Sequence, residues 1–185
     1  MARRVVIVHG WGGSPQDCWI PWLKEKLEGE GFSVAVPNMP DTNNPDMGAW
    51  VGRLREEVGK PNEELYLVGH SLGNITILRY LESLEDDKKV GGAVLVAALI
   101  ESEKEKIRQF FTAPIMWDRI RNSCPKFVAI NSDDDPHVPL SHGETIEENL
   151  GADLIVQENM GHFSSGDGFT ELPIVLESIL KISGD

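Results

Sequence analysis

Glu64-Leu65-Tyr66-Leu67-Val68-Gly69-His70-Ser71-Leu72-Gly73 is the stretch on which the fold turns. A short apolar run ends at Val68, a Gly-x-Ser-x-Gly turn follows, and Ile75, Leu78 and Leu81 then recur at helical spacing, with Ile77 and Leu84 widening the face. A serine on a tight strand-to-helix turn takes a strained backbone conformation, so the glycines around it clear space for the turn. Ser71 is thereby the candidate nucleophile, and the backbone N–H of Leu72 is a candidate donor to an oxyanion. Alone, the string also fits a glycine-rich turn with a capping serine; the strand before it and the helix after it give it weight.

Working outward, six short apolar runs alternate with longer amphipathic segments: Arg4 to Val8, Ser33 to Val36, Leu65 to Val68, Ala93 to Ala97, Phe127 to Asn131 and Asp153 to Val156. Runs that are apolar nearly throughout suit parallel strands covered by helices on both faces. Helices are expected at about Asp17 to Glu28, Met47 to Val58, Leu72 to Leu84, Ser141 to Leu150 and Glu171 to Lys181. The first strand ends in His9-Gly10-Trp11-Gly12-Gly13. Right-handed crossovers put this loop and Ser71 at the same carboxyl edge of the sheet, where open α/β sheets bind ligands. The Trp11 N–H is then the second oxyanion donor, and His9, Gly10 and Gly12 are candidate substrate contacts.

A serine hydroxyl is a poor nucleophile at neutral pH and needs a base whose position is fixed by a third group. Ser132-Asp133-Asp134-Asp135-Pro136-His137-Val138-Pro139 follows the fifth apolar run, and Asn159-Met160-Gly161-His162-Phe163 follows the sixth. Acid then histidine, both downstream of the serine, is the chain order of α/β-hydrolases. His162 is the preferred base, because it follows a strand ending at the active edge and Gly161 permits a sharp turn. His9 and His70 lie inside the glycine turns and suit structural hydrogen bonds; His137 and His142 lie near the acid loop and are the alternatives, with His142 expected to open a helix and point to solvent. Asp135 is the preferred acid, ahead of the proline in an Asp-x-x-Val-Pro loop, with Asp133 and Asp134 expected on backbone amides and Glu101 as a further alternative. The three aspartates lack the alternating spacing of a calcium loop.

The formal net charge of −13 over 185 residues argues against a nucleic-acid partner, which needs a basic patch. The length suits one domain, residues 1–185, and no linker or repeat divides it. Met1-Ala2-Arg3-Arg4 leads directly into the first strand, and the longest apolar stretch, Ala93 to Ile100, is too short to span a bilayer. Cys18 and Cys124 form no Cys-x-x-Cys pair. A cytoplasmic protein with free thiols, acting on a small molecule and away from membranes, is the expectation, and the chemistry calls for neither a metal nor an organic cofactor.

Taken together, the chain resembles the small α/β-hydrolases grouped with retinoblastoma-binding protein nine over nearly its full length. The resemblance rests on His9 to Gly13, Asn38-Met39-Pro40-Asp41, Gly69 to Gly73, Phe111-Thr112-Ala113-Pro114 with Trp117 and Cys124-Pro125, Asp134-Asp135-Pro136, and Gly161-His162-Phe163. It implies a shortened three-layer α/β-hydrolase fold with six parallel strands in the order 2-1-3-4-5-6, and it puts Ser71, Asp135 and His162 in the nucleophile, acid and base positions. The Leu-x-Cys-x-Glu segment associated with retinoblastoma binding is absent, so that partner is not implied.

Only Glu101 to Asn122 is available as a cap after the fourth strand, enough for one or two short helices. Phe110, Phe111, Ile115, Met116 and Trp117, with Trp11 and Phe163, are candidates for an apolar wall over the site, the alternative being that they pack in the core. Met116, Trp117 and Phe163 are the substrate contacts named from this set. The expected reaction is acyl transfer from a small ester or amide to water. A non-catalytic binding module on the same frame and an acyltransferase share these residues and are the alternatives.

Overall fold

The computed structural model describes residues 3–184; Met1 and Ala2, read above as leading into the first strand, lie outside the described residues. The apolar runs form β1 (Arg4–Val8), β2 (Ser33–Ala35), β3 (Leu65–His70), β4 (Gly92–Val96), β5 (Phe127–Ser132) and β6 (Asp153–Gln157). Among the described residues these make one six-stranded parallel sheet in the order β2-β1-β3-β4-β5-β6. Val5 to Val8 of β1 and every residue of β3, β4 and β5 are buried, as parallel strands between two helical layers must be. The apolar-run argument weakens at β6: as an edge strand it leaves Asp153 and Val156 exposed.

The connecting helices are α1 (Ile20–Gly29), α2 (Met47–Val58), α3 (Leu72–Glu82), α4 (Trp117–Ser123), α5 (Leu140–Leu150) and α6 (Pro173–Ser183). The chain runs from β1 to β2 in one direction across the sheet and from β3 onward in the other, so right-handed crossovers put α1 opposite α3. Accordingly α1 packs with α6, while α2, α3, α4 and α5 succeed one another on the other face. Local chemistry sets the ends. Helix α1 starts three residues later than its pattern suggests, because the Asp17 carboxylate accepts from the Ser14 N–H and hydroxyl in a preceding turn and Pro21 occupies the first helical turn. Asp46 caps α2 by accepting the Ala49 N–H at 2.8 Å. Among the described residues no helix is long and apolar enough to cross a membrane.

The reduced cap after β4 comprises a 3₁₀ turn at Arg108–Phe111 and the short helix α4. It is tied down from below by Arg79 of α3, a guanidinium 5% exposed. Its Nε donates to the Phe110 carbonyl (3.0 Å), Nη1 to the Pro114 carbonyl (3.1 Å) and the Glu82 carboxylate (2.8 Å), and Nη2 to the Ala113 carbonyl (2.5 Å). Glu82 also accepts the Met116 N–H at 2.9 Å. A buried cation with every donor region occupied is costly to disrupt, because its removal strands three carbonyls and a carboxylate. Arg79→Met is expected to lower the urea unfolding midpoint by the equivalent of about 3 to 5 kcal/mol with an unchanged m-value; a loss below about 1 kcal/mol would show that water replaces these bonds.

Candidate active site

Ser71 sits at the junction of β3 and α3 with φ +54° and ψ −115°, a conformation that an L-residue adopts only under constraint. The constraint is visible on both sides. A Cβ on Gly73 would lie 2.2 Å from the Val8 carbonyl oxygen, and one on Gly69 would lie 2.4 Å from Asn74 Oδ1. The start of α3 therefore rests directly on the end of β1, and only glycine fits at either contact. Ser71 N–H donates to the Val96 carbonyl (3.0 Å), and Asn74 Nδ2 donates to the Val96 and Ala97 carbonyls (2.7 and 3.0 Å), fastening the turn to the end of β4.

Ser71 Oγ lies 3.0 Å from His162 Nε2, and His162 Nδ1 lies 2.8 Å from Asp135 Oδ2. With Nδ1–H donating to the carboxylate, Nε2 is left as the acceptor for the serine hydroxyl. The Asp135 side chain is fully buried, and its other oxygen accepts the His137 and Val138 N–H groups at 2.8 and 3.0 Å. Asp133 accepts the Asn159 N–H (2.9 Å), while Asp134 accepts the Gly161 N–H and the Ser132 hydroxyl (2.8 and 2.7 Å). These bonds hold the Asp134 carboxyl below its usual range, the Ser132 hydroxyl first. So the three consecutive aspartates divide the work: one meets the histidine and two tie its loop to the end of β5. Glu101 is exposed and does not touch His162; among the described residues no cluster of three or more His, Cys, Asp or Glu is arranged to hold a metal ion.

Trp11 and Leu72 border the same cavity as Ser71 and His162, and among the described residues neither backbone N–H donates to a protein acceptor. That cavity measures about 370 Å³, with Leu99, Ile107, Val138 and His137 along its walls. The other sequence candidates are placed differently. His9 is buried; its Nδ1–H donates to the Gly10 carbonyl (2.9 Å) and its Nε2 accepts the Met39 N–H (3.3 Å), so it shapes the loop from behind. Gly10 lies against the Ser71 Cβ, and Gly12 takes φ +70° and donates to the Thr42 carbonyl (2.8 Å). Phe163 is fully buried and Met116 is 53% exposed, and neither they nor Trp117 border the cavity. For Met116 and Trp117 the reason is Arg79, which with Glu82 holds the segment from Phe110 to Met116 on the flank of α3. His142 also departs from expectation: it is half-buried, and its Nδ1 finds no partner among the described residues.

Asp167 escaped the sequence reading. It accepts from the Ser164 hydroxyl and N–H (2.6 and 2.9 Å) and from the His162 N–H (3.2 Å), which bracket the histidine from its far side and lower the Asp167 carboxyl, the Ser164 hydroxyl contributing most. The Ser-x-x-Asp spacing at residues 164 and 167 was the available signal. Trp19 was likewise silent in sequence; its indole N–H donates to the Phe163 carbonyl at 3.1 Å.

Comparison with known proteins finds relatives over nearly the whole chain. The family model described as serine hydrolase matches residues 5–181. YdeN of Bacillus subtilis (strain 168) is 34% identical over 179 residues, spanning 96% of this chain and 94% of its own. Serine hydrolase RBBP9 of Rattus norvegicus is 31% identical over 183 residues, spanning 96% and 95%. The crystal structure of the B. subtilis ydeN gene product superposes with a TM-score of 0.94 at 32% identity, covering 99% of this chain and 100% of that one. The esterase RhEst1 from Rhodococcus sp. ECU1013, at 17% identity, shares the fold with a TM-score of 0.73 over 100% of this chain and 91% of that one.

Directly beneath the site lies His70. Its ring is buried edge-on against Trp19, with centroids 5.8 Å apart, and its Nε2–H donates to the His162 carbonyl at 2.9 Å. Burial, assisted by the neighbouring His162, pushes its pKa down to about 4. His9 and His142 are shifted in the same direction, chiefly by burial. Between the ordinary histidine value and about 4 the unfolded chain binds more protons than the folded one, so stability is complete above about pH 6.5 and is lost as pH falls toward 4. His70 alone accounts for roughly 3 kcal/mol of that loss. Urea midpoints measured at pH 7, 5.5 and 4.5 are expected to fall steeply for the wild type and less so for His70→Gln; parallel curves would mean that His70 does not stay neutral in the folded state.

Proposed function

The chain belongs to the serine hydrolase family, and from that premise we propose that it cleaves small esters or amides through an acyl-enzyme on Ser71, with His162 as general base and Asp135 as its orienting acid. The observation that carries this reading is the Ser71–His162–Asp135 chain of 3.0 and 2.8 Å contacts, opening on a cavity bordered by Trp11 and Leu72, whose N–H groups have no protein acceptor among the described residues.

The cycle follows from the groups present. His162 Nε2 takes the Ser71 proton as Oγ attacks the substrate carbonyl. Negative charge gathers on the carbonyl oxygen, where the Trp11 and Leu72 N–H groups stabilise it more strongly than they do the neutral ground state. Collapse of the tetrahedral intermediate expels the alcohol or amine, protonated by His162. Water, activated by the same imidazole, then releases the acid from Ser71. Asp135 keeps the proton on Nδ1 throughout and stabilises the imidazolium without accepting its proton.

A cavity of about 370 Å³ lies at the small end of ligand sites, which favours a short acyl group over a long lipid chain.

A fluorophosphonate probe is expected to label the wild type and fail to label Ser71→Ala, and labelling of the variant at an equal rate would reject Ser71 as the nucleophile. Asp135→Asn should lower kcat for p-nitrophenyl butyrate by about 10³- to 10⁴-fold. Asp133→Asn, which leaves the Ser71–His162–Asp135 contacts in place, should lower it far less; equal losses would reject Asp135 as the acid.

A further inference from the structure

Lys104 lies in the cap segment where it returns over the loop after β1. Its N–H donates to the Ser102 hydroxyl (3.3 Å) and its carbonyl accepts the Ile107 N–H (3.1 Å); Ile107 is buried, so the backbone here is anchored to the core. The ammonium sits 5.7 Å from the centroid of the Trp11 ring, within cation–π range. Trp11 and Lys104 both border the cavity that contains Ser71. With Ser102 and His137, Lys104 also borders an adjoining depression that reaches Glu101, Glu103 and His142.

The charges around this cavity are unequally satisfied. Asp135 accepts three hydrogen bonds from its own loop and His162, and Asp167 accepts three from Ser164 and His162. Glu103 and Glu105 flank Lys104 in the chain and Glu101 lies three residues before it, yet among the described residues no carboxylate pairs with its ammonium. The cavity thus presents an unneutralised cation, already oriented on the loop that supplies the Trp11 amide. The net charge of −13 disfavours anions at long range, but beyond about 8 Å such repulsion is screened at physiological ionic strength, leaving the nearest cation to decide.

We propose that Lys104 is a specificity residue selecting substrates that carry a carboxylate near the scissile ester or amide. The proposal rests on Ser71 being the nucleophile. The ammonium pairs with the substrate carboxylate on its acyl or leaving-group side. Pre-orientation over Trp11 reduces the rotamer entropy that the pairing would otherwise lose.

The test compares kcat/KM for two matched pairs, the p-nitrophenyl monoester of glutaric acid against p-nitrophenyl pentanoate, and 4-carboxyphenyl acetate against phenyl acetate. In one pair the wild type is expected to favour the carboxylate by about fivefold, through KM, and to lose that preference as salt is raised. Lys104→Met should abolish the ratio, Lys104→Glu should reverse it and Lys104→Arg should keep it. Equal ratios in the wild type and Lys104→Met, with the neutral esters turned over, would overturn the role of Lys104 alone. A wild type that turns over no ester and resists the fluorophosphonate probe would overturn the Ser71 reading and this proposal with it.

Discussion

The start of α3 is pressed against the end of β1 so closely that the Val8 carbonyl occupies the space where a side chain at residue 73 would stand. From this contact the rest of the site follows. It forces the chain to turn within one residue, which drives Ser71 to φ +54° and lifts its hydroxyl above the sheet edge. It also brings the loop after β1, with the Trp11 amide, to the same crevice as the Leu72 amide. The sheet order makes that crevice: the chain leaves β1 toward one edge and β3 toward the other, so nothing crosses between their carboxyl ends.

The histidine is held by a different principle. Its loop contains three residues with positive φ, Asn159, Gly161 and Phe163, and such a backbone persists only when its surroundings over-determine it. Here the surroundings are Asp133, Asp134 and Ser132 from the end of β5, Asp167 from the following turn, and His70 and Trp19 from below. Each supplies ordinary hydrogen bonds. Together they fix the imidazole to the tolerance that proton transfer requires. A neutral His70 suits this task, since a charged ring in the same burial would cost stability rather than supply it.

The cap illustrates how one buried charge can set the character of a site it never touches. By drawing three carbonyls onto α3, Arg79 keeps the aromatic stretch around Phe110 and Phe111 out of the cavity. Phe110 instead packs edge-on against Trp50 at 6.0 Å. The cavity is left with a mixed wall, apolar at Leu99, Ile107 and Val138 and polar at Lys104, His137 and Asp167.

Local sequence determined what depends on neighbours in the chain. Strands came from apolar runs and the turn at Ser71 from its glycines. The extent of α2 came from its periodicity, and the order serine, acid, histidine from position alone. The six-stranded order and family membership were legible through motifs spread over the chain. The proline after Asp135 and its Val-Pro loop already favoured that aspartate in sequence, while the tertiary structure showed what the other two do, because their bonds to the Asn159 and Gly161 N–H groups depend on how the two loops meet. Only the tertiary structure decided that Phe163, Met116 and Trp117 stay out of the cavity, because hydrophobicity states that a side chain leaves water but not which surface receives it. Trp19, Arg79 and Lys104 acquire their meaning from partners many residues away, and contacts at such separation leave no periodic trace in the chain.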